Sequence, residues 1–274
     1  MKTEKEKRRW LQGCILIISL LIFAPQASAH NLWLGLDHYD QRKGDTAKVF
    51  LYMGHSLPFS DLGRPEKMKE FIYIEPTGKK KNFVLKKYNS ESFFNEVGVD
   101  LNIREEGTYL AVAAMKPLFV SMTPEGRKRK SKKELPDAIS CRHVEFFAKA
   151  IFYAGKPGGS AYKTVLEHTL EMIPQKDPCL LKAGDHLPLK VFFKGKPLAG
   201  ELVYATYVGF STRAEYPFTA KTDADGIVNI RITQPGIWWV KIPLKKARED
   251  KSECDVDQYA TILTFEVKQF QEKK

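Results

Sequence analysis

Two histidines have the residue type and position from which a transition-metal site could be built. His30 follows the triplet Ala-Ser-Ala at 27–29, a small-x-small pattern typical of signal-peptide cleavage. Cleavage after Ala29 would leave His30 as the first residue of the mature chain, where its α-amine and a ring nitrogen can bind one ion together. A second imidazole would complete a three-nitrogen site suited to Ni(II), Cu(II) or Zn(II).

His55 is the best candidate for that second imidazole. It follows a predicted strand, and Gly54 beside it has no side chain to hinder a close approach. Because the first two strands of a sheet often pair as neighbours, His55 could meet His30. The alternative is a loop histidine that caps backbone groups.

The leader that precedes His30 has the layout of a secretory signal. Five basic residues at 2–9 are followed by an apolar stretch at 10–24, and Pro25 then breaks the helix before the cleavage pattern. This layout predicts an exported protein, periplasmic or secreted. A retained membrane anchor is one alternative, and lipidation at Cys14 after Leu-Gln-Gly is another.

The net charge of +11 is partly concentrated in one basic run. The run contains Arg127, Lys128, Arg129, Lys130, Lys132 and Lys133. A solvated loop is the simpler interpretation, and docking on an anionic membrane surface or on lipopolysaccharide is the alternative. We expect no nucleic-acid partner for an exported protein.

Strand patterns fill the rest of the chain. Apolar patterns predict strands at 30–36, 48–53, 71–75, 82–87, 97–103, 108–115, 167–173, 187–193, 202–207, 218–222, 227–232, 236–242 and 261–267. The segment 146–152 fits a strand or a helical turn. In the strand 236–242 we expect Ile237 and Trp239 in the core and Trp238 partly covered by a loop.

The number and spacing of these strands predict an all-β fold with two immunoglobulin-like β-sandwich domains after a cleaved signal peptide. A Gly-, Pro- and Ser-rich stretch at 154–160 marks a break between them. The predicted division is a signal peptide at 1–29, an N-terminal sandwich at 30–155, a linker at 156–166 and a C-terminal immunoglobulin-like sandwich at 167–274.

Several motifs resemble the DUF4198 family over nearly the whole mature chain. They are His-Asn-Leu-Trp-Leu at 30–34, Gly-His-Ser-Leu-Pro-Phe at 54–59, Leu-Glu-Met-Ile-Pro at 170–174, Lys-Ala-Gly-Asp at 182–185 and Pro-Gly-Ile-Trp at 235–238. The resemblance implies an exported protein of immunoglobulin-like sandwiches, linked with periplasmic components of nickel and cobalt uptake. It also implies a third metal ligand, His168, which stands where the family often has a histidine.

Three cysteines remain after removal of the leader. We expect a disulfide between Cys179 and Cys254, with Cys141 as the free thiol, because the first two fall in the same predicted domain. No hydrolase elbow, zinc-protease helix or phosphate-binding loop is present in the sequence. We therefore expect a protein that is not an enzyme, with copper oxidative chemistry at a histidine brace as the alternative.

These patterns and this resemblance predict an exported protein that binds a transition metal through His30, with His55 and His168 as further ligands. Nickel or cobalt is the expected ion, and copper and zinc are the alternatives. The expected role is to deliver metal to a membrane transporter component by ligand exchange. The competing hypothesis is a metal-free immunoglobulin-like module that holds another envelope protein.

Overall fold

The computed structural model of the protein describes residues 31–54, 61–62, 65–83, 98–211 and 215–269. The strands are β1 Asn31–Leu36, β2 Asp40–Gln41, β3 Thr46–Gly54, β4 Asp61–Leu62, β5 Met68–Ile74, β6 Lys80–Asn82, β7 Gly98–Asn102, β8 Gly107–Met115, β9 Leu118–Thr123, β10 Gly126–Lys128, β11 Ser140–Ala154, β12 Leu170–Pro174, β13 His186–Phe193, β14 Lys196–Pro197, β15 Leu202–Tyr207, β16 Phe218–Lys221, β17 Ile227–Arg231, β18 Gly236–Ala247 and β19 Val256–Val267. Short 3₁₀ helices lie at Pro65–Lys67, Ala161–Lys163 and Pro178–Leu180. Within the described ranges no helix is long and apolar enough to cross a membrane.

A sheet of eleven described strands runs through the middle of the fold. Its main path is β16-β15-β18-β19-β11-β8-β5-β6, and β2, β9 and β10 attach beside it. Neighbours on this path are antiparallel except β11 and β19, which pair in parallel from Arg142↔Val256 to Ile151↔Phe265. The central sheet therefore joins the first half of the chain to its last strand.

Two smaller sheets cover the two faces of this central sheet. Outer sheet 1 contains β1, β3, β4 and β7, and outer sheet 2 contains β12, β13, β14 and β17. One core cluster includes Leu34 and Val49 of outer sheet 1 together with Ala148 of β11. The other includes Leu189 of outer sheet 2 together with Ile151 of β11. The prediction of an all-β sandwich fold is confirmed. The described strands form three layers.

Alternate residues of the central strands enter opposite cores. In β8, Leu110 and Val112 belong to the core under outer sheet 2, whereas Tyr109 and Ala111 belong to the core under outer sheet 1. All nine residues of β8 are buried. A strand buried on both faces has a continuous apolar sequence, without the polar alternation of a half-exposed strand. For this reason periodicity could not assign 146–152, which the structure places inside β11.

The segment 156–166, predicted as a linker, packs against the core. Its residue Ala161 is fully buried and belongs to the same cluster as Ile72 and Leu189, which lie on either side of it in the sequence. The predicted boundaries at 155 and 167 stay a prediction. The structure adds that β11 before the segment pairs with β19 after it.

The cysteines pair differently from the expectation. Cys141 and Cys254 form a disulfide, and Cys179 is the free thiol. The expected Cys179–Cys254 bridge is therefore wrong. The parallel pairing of β11 and β19 places the starts of these two strands side by side, and a cysteine at or just before each start meets the other.

The basic run is only partly a loop. Gly126–Lys128 forms β10 and pairs with β9 in the register Arg127↔Met122 and Lys128↔Ser121. The expectation of a solvated loop over the whole run is thus corrected at its first two residues.

Candidate functional site

Two of the three histidines predicted as metal ligands, His30 and His55, lie outside the described residues, but the strands that lead to them are described. The ladder of β1 and β3 runs from Leu36↔Val49 to Asn31↔Gly54. Asn31 is bonded to His30, and Gly54 is bonded to His55. The two predicted ligands are therefore attached to cross-strand partners at one end of one ladder.

Aromatic packing fixes this end of β1 against the central sheet. The ring of Trp33 lies 5.8 Å from that of Tyr52 on β3 and 5.8 Å from that of Trp239 on β18. Trp33 is buried, as is Asn31 at the end of the ladder. The Nδ2 atom of Asn31 has no hydrogen-bond partner among the described residues. The ladder end therefore combines close aromatic packing with a buried donor that has no partner in the described part of the chain.

His168, the third predicted ligand, is described and is held by two contacts. Its Nε2 lies 2.7 Å from Oε2 of Glu70, and its ring stacks on Phe147 at a centroid distance of 4.8 Å. The hydrogen bond from His168 lowers the pKa of Glu70 to about 2 against the opposing effect of burial, and Lys80 at 3.0 Å acts in the same direction. Because the ionised carboxylate can only accept, Nε2 carries the proton.

The remaining ring nitrogen of His168 is buried without a partner in the described part of the chain. An imidazole that donates one N–H to a carboxylate and leaves the other nitrogen free has the arrangement common among metal ligands. However, no group of three or more His, Cys, Asp or Glu residues in the described ranges could hold a metal ion. His168 thus fits as a single ligand, and the described residues do not complete a site around it.

The structure does not bring His168 together with the ladder end of β1 and β3. Phe147, on which His168 stacks, belongs to the core under outer sheet 2. Asn31 and Gly54 belong to outer sheet 1, on the other face of the central sheet. The three predicted ligands therefore divide into a pair and a separate histidine.

His168 lines a cavity of about 830 Å³ whose walls carry charges of both signs. In this cavity Nδ1 of His143 lies 3.2 Å from Oδ1 of Asp257, and Arg248 contacts the same carboxylate at 2.8 Å. Burial, followed by the charges of Asp257 and Glu145, raises the pKa of Tyr259 to about 12. The cavity is therefore a polar cleft whose histidines are both engaged by carboxylates.

A fully buried ion pair supports one wall of this cavity. Nζ of Lys149 on β11 lies 2.7 Å from Oε1 of Glu171 on β12, and Glu171 also accepts hydrogen bonds from the backbone N–H groups of Leu166 and Glu167. Burial lowers the pKa of Lys149 against the attraction of Glu171. Glu167 has a φ of 59°, a left-handed conformation unusual for this residue type. The ion pair thus holds a strained segment in place.

Only one of the contacts in this region has a signal in the local sequence. A lysine inside the apolar segment 146–152 signals a buried ion pair, because a lone buried ammonium needs a partner. Nothing in the sequence connects Glu70 to His168, which lies 98 residues further along. Long-range pairing of this kind follows from the sheet order alone.

Comparison with solved structures gives weak similarity to adhesin and immunoglobulin-type chains. The D0-D1 domain of intimin is 12% identical at a TM-score of 0.22, with 85% of this chain and 96% of that chain covered. The Yersinia pseudotuberculosis adhesin InvE is 14% identical at a TM-score of 0.21, with coverages of 86% and 58%. Murine CEACAM1b is 10% identical at a TM-score of 0.20, with coverages of 87% and 98%. TM-scores this low carry no inference about function.

No curated protein matches the sequence. A family described as a domain of unknown function, DUF4198, matches residues 27–246. The match begins just before His30 and extends into β18, so it spans most of the chain. The protein therefore belongs to the DUF4198 family.

Proposed function

We propose that this is an exported protein that binds a transition metal at His30 and His55. Nickel or cobalt is the ion that we propose. The observation that carries the proposal is the pairing of Asn31 with Gly54 at the end of the β1–β3 ladder. Residues bonded to cross-strand partners cannot lie far apart. Because each histidine is bonded to one member of this pair, we place both candidate ligands at this end of the ladder.

One further pair in the same register would make His30 and His55 cross-strand partners. Cross-strand partners have Cβ atoms about 5 Å apart on the same face of the sheet, a separation from which two imidazoles can bind one ion.

The chemistry of this site is reversible binding rather than catalysis. A free α-amine and the imidazole of His30, with the imidazole of His55, supply three nitrogen ligands of the type that late first-row metals prefer. The remaining coordination positions stay open to water or to a receiving ligand. Metal can then pass by ligand exchange to a membrane transporter component, which is the partner we propose.

Export has support from the cysteines. Cys141 and Cys254 form a disulfide that bridges 113 residues of sequence. Structural disulfides persist in oxidising compartments such as the periplasm and are rare in reducing ones. The bond is therefore consistent with the secretory leader inferred from the sequence.

The proposal is tested by titrating Ni(II) into the protein that begins at His30 and into two histidine variants. We expect His55→Ala to weaken binding at least tenfold, because one of three ligands is lost. The exposed loop histidine His38 provides the matched control, and His38→Ala should bind like the parent. Equal affinities of all three proteins would show that His55 is not a ligand.

A second candidate function rests on exposed apolar residues beside an edge strand. β16 pairs only with β15 among the described strands, and Val208 and Phe210, which follow β15, are 40% and 41% exposed. An open edge with apolar residues suits an interaction module that holds another envelope protein. Binding of an envelope partner that chelators do not affect, and that Phe210→Ser abolishes, would favour this function over metal binding.

A further inference from the structure

We propose that the end of the central sheet formed by β9, β10 and residues 129–133 docks on an anionic phospholipid bilayer. This surface, the basic hairpin patch, is separate from the proposed metal site and does not depend on it. It combines unpaired positive charges, exposed apolar side chains and a fixed backbone.

The charges of the patch are mostly uncompensated. Arg127, Arg129 and Lys130 are exposed, and none of them forms an ion pair with a described residue. Two other lysines of the run have partners: Lys128 lies 3.3 Å from Glu125, and Lys132 lies 2.5 Å from Asp255. Arg127 and Arg129 are thus left to attract an external anion, whereas the charge of Lys130 also acts on the nearby Glu134.

The positive charge of the patch also acts on a neighbouring arginine, Arg142. Arg142 on β11 pairs with Val120 of β9, and the other neighbour of β9 is β10, which carries Arg127. Burial lowers the pKa of Arg142, and the charge of Arg127 lowers it further. Its hydrogen bond goes to the neutral amide of Gln258 rather than to a carboxylate. The positive field therefore extends from the hairpin onto the sheet.

The backbone beneath these charges is held in place. Oγ of Ser121 donates to the carbonyl oxygen of Lys130 at 2.7 Å, and the N–H of Lys132 donates to the carbonyl oxygen of Glu253 at 2.9 Å. The N–H and the hydroxyl of Ser131 both donate to Glu134. Because the segment is fastened beside the Cys141–Cys254 disulfide, its cations are presented from one fixed site.

Two apolar side chains stand among the cations. Met122 is 45% exposed and Ile139 is 70% exposed. They are neighbours, since the N–H of Ile139 donates to the carbonyl oxygen of Met122 at 2.8 Å. Met122 is also the cross-strand partner of Arg127. Apolar tips surrounded by basic residues are typical of surfaces that enter the headgroup region of a membrane.

Charge complementarity favours a bilayer over an acidic protein. The cavity lined by His168 contains no residue of the patch, so the two surfaces are separate. A bilayer needs no matching shape, because lysines and arginines near an anionic leaflet each add attraction and apolar tips insert between headgroups. The ligand chemistry is therefore the phosphate of anionic phospholipids.

The test is co-sedimentation of the protein that begins at His30, which retains every described strand, with vesicles of phosphatidylcholine alone or mixed with phosphatidylglycerol. We expect binding to the mixed vesicles only, falling about tenfold or more when salt is raised from low to well above physiological concentration. The variant Arg127→Gln/Arg129→Gln/Lys130→Gln should lose at least about tenfold in affinity for the mixed vesicles. Ile139→Ser should weaken binding several-fold without changing its dependence on salt.

A matched variant separates the patch from net charge. Lys176, Lys196 and Arg231 are exposed residues elsewhere on the surface, and changing all three to glutamine removes the same charge. This control should bind mixed vesicles like the parent protein. The proposal is overturned if the parent does not bind mixed vesicles, if both triple variants lose binding equally, or if the patch binds an acidic protein but not the vesicles.

Discussion

Lys149 and Glu171 form an ion pair of 2.7 Å in which the two side chains are 1% and 2% exposed. The pair connects β11 of the central sheet to β12 of outer sheet 2, and Glu171 also holds the backbone of the segment that carries His168. One buried contact therefore links two layers of the fold to one wall of the polar cavity.

Removal of one partner of this pair should destabilise the protein strongly. Glu171→Leu leaves the ammonium of Lys149 buried without a counter-charge, and we expect a loss of about 3–5 kcal/mol in the free energy of unfolding. The double variant Lys149→Met/Glu171→Leu removes both charges and should be more stable than Glu171→Leu by at least about 1 kcal/mol. Urea denaturation measures both values. A double variant no more stable than the single one would show that the charge is not the cause.

The Glu70–His168 contact should make stability sensitive to acid. The hydrogen bond from His168 lowers the pKa of Glu70 from its ordinary 4.5 to about 2 in the folded protein. A carboxyl whose pKa is lower in the folded state stabilises fully above its unfolded pKa, and this contribution is lost as pH falls from about 4.5 to about 2. Solvent reduces the effect, since Glu70 is partly exposed.

We therefore expect Glu70→Gln to give a flatter profile of unfolding free energy against pH in this interval. The exposed Glu125, which pairs with Lys128 on the surface, provides the control. Glu125→Gln should keep the slope of the parent protein. An unchanged slope in Glu70→Gln would mean that His168 does not hold the carboxylate in solution.

Strands of the central sheet and of both outer sheets could be predicted from the sequence, whereas their order within the sheets could not. Leu32, Leu34 and Leu36 alternate because this face of β1 packs against the central sheet, and the predicted strand agrees with the observed one to within one residue. The prediction for the adjacent Trp238 and Trp239 was wrong at Trp238. We expected only one of these adjacent side chains in the core, but both are buried because both faces of the central sheet are covered.

The candidate site, like the fold, could be predicted only in part. Local sequence predicted the histidines themselves, and the pairing of β1 with β3 relates the positions of His30 and His55. The partner of His168 and the partner of Cys254 could not be predicted, because Glu70 and Cys141 are distant in sequence. Their proximity depends on the order of strands in the central sheet, which no local pattern contains.

The disulfide should be a large contributor to stability. A bond that closes a loop of 113 residues restricts the unfolded chain, and removing it by Cys141→Ser/Cys254→Ser should cost about 2–5 kcal/mol. Urea denaturation under non-reducing conditions measures the loss. Cys179→Ser is the comparison and should cost less, since Cys179 forms no disulfide. A peptide that joins Cys179 to Cys254 in a non-reducing digest would contradict this pairing.

The remaining thiol should be unreactive in the folded protein. Burial raises the pKa of Cys179 well above its ordinary value of 9.0, and the charge of Asp177 raises it further. Because the thiolate is the reactive form, a thiol reagent such as DTNB should label the native protein slowly at mildly alkaline pH. In denaturant the same reagent should label one thiol rapidly. Rapid labelling of the native protein would show that the thiol is accessible.

The central claim is that the metal is bound by the free amino terminus at His30, and one calorimetric comparison tests it most directly. Ni(II) and Co(II) are titrated into the protein that begins at His30 and into a form with one additional alanine before it. We predict tight binding by the first protein, weakening as pH falls because the amine and imidazole must release protons to bind, and a loss of at least about tenfold in the extended form. Equal binding by both forms, or binding by neither, would contradict the claim.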